Sequence, residues 1–230
     1  MFKISKEKLN ELYAKISAAM PLYLPLKKAG EVNYGLYEDG AEVSLETLKT
    51  VKSPKDLFFP QSETMMKFKT EGKNIEILDV REEQKPFVLF GVRACDFKAF
   101  DVLDRVFLAD PVDTYYQARR NAGVIVALAC SRPEESCFCK AFGIDAADPA
   151  GDVTCWIAGD ALYWRANTEK GEALTAKLPM LEDSGEEAVA AQQEATREIL
   201  KKLPLASLDL SKVGAGKTKA LFSRPEWKQL

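Results

Sequence analysis

The sequence predicts an α/β fold with a mixed, largely parallel central sheet and flanking helices, and three observations predict it. Residues 87–92 and 123–129 are unbroken apolar runs, the pattern of strands whose sheet is covered on both faces. Segments of helical periodicity alternate with those runs, as in βαβ units. The chain has 230 residues with 47% hydrophobic content, enough for one large core or two small ones.

In chain order, Ser5 is placed to cap a first helix whose apolar face is Leu9, Leu12, Tyr13 and Ile16, with Pro21 and Pro25 closing it. Residues 31–38 and 74–80 read as strands, and residues 51–69 as an irregular connection. The run from Phe87 to Val92 leads through a turn at 93–95 into a helix that starts near Asp96. That helix is expected to bury Phe97, Phe100, Val102, Leu103 and Val106. A short helix before Gly123 precedes the second apolar strand. Residues 152–167 read as a hairpin around Gly159–Asp160. Ser184 and Glu187 match a capping box for a helix running to about Leu203, where Lys201, Lys202 and Pro204 supply stop signals. Three portions are expected: 1–84, an N-terminal α/β part; 85–180, the cysteine-bearing core; and 181–230, a helical C-terminal segment.

The composition excludes several chemistries. With no histidine in the chain, Ser-His-Asp hydrolysis, Cys-His proteolysis, imidazole-ligated haem and His-dependent zinc sites are all ruled out. A net charge of −3, with Lys and Arg scattered, leaves no footprint for nucleic acid. No apolar run is long enough to span a membrane. Residues 1–15 lack a signal-peptide pattern, so the expected location is cytoplasmic. There the five cysteines are expected to stay reduced.

Three of them, Cys130, Cys137 and Cys139, fall within ten positions. Cys95 and Cys130 each lie just past the end of an apolar strand. In an open parallel sheet those ends share one edge, the edge where ligands bind. Four sulfurs are therefore expected to converge. Four thiolates without imidazole suit a structural zinc or an iron–sulfur cluster. The chain has no CxxC pair, and a cluster accepts such a scattered set more readily. Arg93, Arg132 and Lys140 would offset the charge of a four-thiolate site, aided by the positive end of the helix after residue 95. Ser131, Arg93 and the amides of 136–140 are candidate donors to the sulfurs, and Phe138 is expected to shield them from water. Cys155, inside the hairpin, reads as a core residue.

Two other patterns are weaker. Residues 211–218 resemble a phosphate-binding loop at Gly216, Lys217 and Thr218, but Ser211 stands where the first glycine belongs and no buried strand leads in. A surface loop is expected there. Asp101 and Asp104 lie three apart on a helix and read as a solvated face.

The stretches 52–68, 90–108, 113–130 and 137–145 together resemble the beta subunits of cytoplasmic nickel–iron sulfhydrogenases and the A subunit of anaerobic sulfite reductases. The resemblance implies an iron–sulfur electron-transfer subunit that performs no bond chemistry itself and works between a flavin-bearing partner and a catalytic partner. It also implies that Cys95, Cys130, Cys137 and Cys139 ligate an extra [4Fe-4S] cluster. Ala94 stands where the family usually has proline. Family members continue past a segment like 224–227 into a ferredoxin domain, so that module is expected either on a longer chain or on a separate ferredoxin-type subunit. Two rival readings remain: a scaffold subunit with zinc or no metal, and a thiol–disulfide protein using Cys137 and Cys139, whose spacing is tighter than CxxC.

Overall fold

The apolar run Phe87–Val92 forms a strand at the centre of an eight-stranded sheet, in a computed structural model that describes residues 1–229. In chain order the elements are β1 (Phe2–Ser5), α1 (Leu9–Ala19), β2 (Leu22–Lys28), β3 (Glu31–Leu36), β4 (Lys67–Glu71), β5 (Asn74–Leu78), β6 (Phe87–Val92), α2 (Ala94–Phe107), α3 (Thr114–Ala122) and β7 (Gly123–Leu128). They continue with β8 (Val153–Ala158), β9 (Ala161–Ala166), α4 (Glu169–Thr175), β10 (Glu182–Asp183), α5 (Glu187–Lys202) and α6 (Lys217–Leu221). The sheet runs β10-β1-β9-β8-β7-β6-β2-β3. Its four middle strands, β8, β7, β6 and β2, pair in parallel, and the outer pairings are antiparallel. The mixed, largely parallel sheet follows from the two apolar runs. All three portions of the chain contribute strands to it.

Side-chain alternation decides which helices cover which face. Val88, Phe90, Val124 and Val126 point to the side closed by α1 and α4, where Leu12, Tyr13, Ile16 and Leu174 are buried. Phe87, Leu89 and Ile125 point to the other side, where Phe100 of α2 and Tyr116 of α3 pack with Phe58. The Phe58 ring lies 5.3 Å from Phe87 and 4.9 Å from Phe100, contacts of about 0.5–1.5 kcal/mol each beyond their buried area.

Several local expectations need correction. Residues 2–5 form an edge strand, and Ser5 caps the short 3-10 turn Lys6–Lys8 that leads into α1. Pro25 lies inside β2 instead of closing the helix. Parallel pairing of β2 with β6 covers only Leu22 and Tyr23, so no ladder bond to β6 requires an amide at Pro25. Residues 67–71 are a strand, paired with β5 in a separate exposed hairpin. On α2, Phe100 is buried but Val102 and Val106 are 59% and 62% exposed. At about 100° per residue they point away from the stripe of Phe97, Phe100, Leu103 and Phe107.

The expected capping box does not form. Pairing of β1 with β10 draws Ser184 toward the sheet, where its amide bonds the Met1 carbonyl, and α5 starts from Glu186 without a side-chain cap. Asp104 is not simply solvated either. It accepts from the Tyr116 hydroxyl at 2.6 Å and from Arg120 at 3.1 Å, clipping α2 to α3, whereas Asp101 pairs with Lys98 at the surface. Around Gly216 the chain forms short helical turns, preceded by the 3-10 turn Leu210–Lys212 and no strand. The Lys217 ammonium is held by the Ser211 carbonyl. Among the described residues no helix is long and apolar enough to cross a membrane.

Candidate metal centre

The carboxyl ends of β6 and β7 lie side by side because the two strands pair in parallel from Phe87↔Gly123 onward. Gly91, at φ +90°, marks a bulge that shifts the register between Phe90 and Val92. The Gly91 carbonyl accepts from the half-buried Tyr34 hydroxyl at 2.9 Å. Beyond the bulge, Arg93 stands at the start of α2, which begins at Ala94, earlier than the sequence suggested. Cys95 therefore lies in the first helical turn, exposed. Across from it, Cys130 follows β7 by two residues and is buried, with its amide bonded to the Ala146 carbonyl. The loop then returns Cys137, half-buried, and the buried Cys139 at the head of the 3-10 turn Cys139–Phe142.

Electrostatics place the four thiols in one neighbourhood. The Cys95 thiol is lowered to about 7, chiefly by a hydrogen bond shared with Cys139, with the Asp96 amide assisting. The same shared bond pushes Cys139 up, and burial adds to it. One of this pair thus holds the proton for both. Burial pushes Cys130 up to about 11, against the pull of the adjacent Arg93 guanidinium, and its charged form would also feel Cys95 and Cys137. Cys139 interacts in the same way with Cys130 and Cys137. Among the described residues, no group of three or more cysteines and carboxylates stands close enough to hold a single metal ion.

Arg93 is 6% exposed. Its Nη1 donates to the Ala129 carbonyl at 3.0 Å and its Nη2 to the carbonyls of Leu45 and Thr47. These bonds tie the residue after β6 to the residue after β7 and to the connection following β3. Its Nε is buried and has no acceptor. A buried guanidinium beside the Cys130 thiol, in no ion pair with a carboxylate among the described residues, is suited to a site that becomes anionic.

Other residues hold the cysteines in place. The Glu134 amide donates to Cys137 Sγ at 3.3 Å. Lys49 bonds Glu134 at 2.7 Å and the Ser136 hydroxyl at 2.8 Å, pinning the loop that carries Cys137. Thr196, buried on α5, donates to the Cys130 carbonyl at 2.9 Å. Asp96 accepts from Lys55 at 2.8 Å and from Ser53 at 3.2 Å, closing the start of α2.

Sequence reasoning missed Lys49, Lys55, Thr196 and the Glu134 amide. Only Thr196 carried a signal, as the polar member of the buried stripe Val189, Thr196, Leu200. Of the other residues singled out, Ser131 is half-buried beside Arg93, Arg132 and Lys140 are exposed, and Phe138 is 47% exposed with its ring edge-on to Phe142 at 5.3 Å. Cys155 is fully buried between β7 and β9.

No protein-family model and no solved structure matches the chain. One curated protein does: over 169 residues the chain is 32% identical to subunit beta of sulfhydrogenase 2 from Pyrococcus furiosus. The aligned stretch is 74% of this chain and 49% of that subunit, so the chain spans about half the length of its relative. A thiol-lined carboxyl edge on a largely parallel sheet thus belongs to a chain that resembles the beta subunit of a sulfhydrogenase.

Proposed function

We propose that this chain is an electron-transfer subunit of a hydrogenase-type oxidoreductase complex. In this reading Cys95, Cys130, Cys137 and Cys139 hold one [4Fe-4S] cluster, between a flavin-bearing subunit and a catalytic subunit. The observation that carries it is the clustering of these thiols, from segments distant in sequence, at the carboxyl edge of β6 and β7. There Cys95 and Cys139 perturb each other, and Cys130 and Cys139 feel the neighbouring sulfurs. The donor chemistry fits the group, because sulfur-only ligation is what such clusters use.

When bound, the cluster would supply one-electron chemistry. The chain's own residues set the conditions for it. Arg93 brings a buried positive charge to Cys130, which favours thiolate over thiol and raises the reduction potential. The amides of Glu134 and Asp96 donate to Cys137 and Cys95, which stabilises negative charge on sulfur. Lys49 and Thr196 hold two of the ligand-bearing segments against the sheet.

Protein purified without oxygen should contain about four irons per chain and show the broad visible absorption of an iron–sulfur centre. Serine at any one of the four positions should remove most of both. Iron-free, colourless protein after anaerobic reconstitution defeats the reading, and stoichiometric zinc under iron-replete conditions would favour the scaffold alternative.

A further inference from the structure

A second feature occupies the same sheet edge. A cavity of about 320 Å³ opens at the carboxyl ends of the three central parallel strands. Arg93 follows β6, Ala129 and Ser131 follow β7, and Ile157 closes β8. Open α/β sheets bind small ligands at this edge, because strand ends and loop amides converge there. Lys6 and Arg132 line the cavity together with Arg93. Glu46 is the one carboxylate in the lining, set against three cations. Among the described residues none of the three cations has a carboxylate partner, although ion pairs are frequent elsewhere on the chain. The buried Arg93 also leaves its Nε without an acceptor.

Of the three only Arg93 is buried, and a buried guanidinium with an unmet N–H is stabilised when an anion joins it. The two exposed cations add attraction for the same anion. Guanidinium groups match phosphate through paired N–H donors, and a phosphate carries enough charge to meet more than one cation. We infer that this cavity binds a phosphate group, free or ester-linked, on Lys6, Arg93 and Arg132. The site shares Arg93 with the proposed cluster site but needs no iron. Occupancy would place a negative charge beside the guanidinium that also neighbours Cys130, linking ligand binding to the thiol neighbourhood.

Calorimetric titration of the whole chain with inorganic phosphate, and separately with adenosine monophosphate, tests this. The titrations are run on anaerobically purified protein and on protein stripped of iron by chelation, with iron measured in each sample. Saturable binding of either probe is expected in at least one of the two states, and a preference between the probes tells free from ester-linked phosphate. Lys6→Ala and Arg132→Ala should each weaken it about tenfold, and the double variant about a hundredfold. Both side chains are exposed, so melting temperature should hold, which separates lost binding from lost fold. Arg93→Lys should weaken binding further. No saturable binding of either probe at millimolar concentration, or undiminished affinity in the double variant, overturns the inference. Iron present with no phosphate binding sinks this site alone, whereas binding to iron-free protein leaves it standing if the cluster reading falls.

Discussion

Cys155 and the cysteines of the carboxyl edge are the same residue in two surroundings, one or two strands apart. Cys155 lies on β8 between two paired strands, with no exposure, in the apolar cluster that also holds Tyr13. Desolvation alone raises its pKa, and there it acts as a small apolar side chain. Cys95, Cys130, Cys137 and Cys139 lie where strands stop and ladder bonds run out. Loop amides, a helix start and a buried guanidinium meet sulfur there. The difference teaches that chemistry in this chain follows from where the backbone is unpaired, more than from which side chain is present.

Alkylation of iron-free protein should separate the two regions most widely. With its thiol lowered to about 7, Cys95 goes from about one-tenth thiolate at pH 6 to about nine-tenths at pH 8. Its labelling rate with iodoacetamide should climb through that interval. Cys155 should react only through unfolding, at least about a thousandfold more slowly. Peptide mass spectrometry reads both, and a flat profile for Cys95 or prompt labelling of Cys155 would erase the contrast.

Cys155→Ser asks for less. A hydroxyl placed among strands without a partner should cost about 1–3 kcal/mol in urea unfolding, while iron content stays at the wild-type level. Loss of iron in this variant would move Cys155 into the metal centre. The smallest effect is expected from Thr196→Val, which keeps shape but deprives the Cys130 carbonyl of its 2.9 Å donor. A loss of about 1 kcal/mol is expected, with faster release of iron to a chelator. Unchanged release would show that α5 does not steady the Cys130 segment.

Much of this was legible in the chain. The apolar runs at 87–92 and 123–128, the hairpin at Gly159–Asp160 and the placement of Cys95 and Cys130 past strand ends all match the structure. These signals are local, since they depend on alternation, unbroken apolarity and turn residues within a few positions. Errors arose where tertiary pairing overrode local preference. Residues 2–5 became a strand because β9 and β10 offered partners. Pro25 was tolerated because parallel pairing with β6 ends at Tyr23, and Ser184 lost its capping role to the sheet edge. The fixing residues of the site were hidden for a related reason. Lys49 meets Glu134 across 85 positions and Arg93 meets Leu45 across 48, with no periodicity to advertise either.

Residue order by itself determined that this is an α/β chain, that imidazole chemistry is excluded, and that thiols stand at the ends of two buried strands. Those properties need only composition and short-range pattern. The tertiary structure decided that Cys95 and Cys139 come close enough to perturb each other's thiols, that Arg93 is buried, and that Lys6, Arg93 and Arg132 line one cavity. Each of these joins segments far apart in sequence, and only packing of the sheet against its helices and loops fixes such distances.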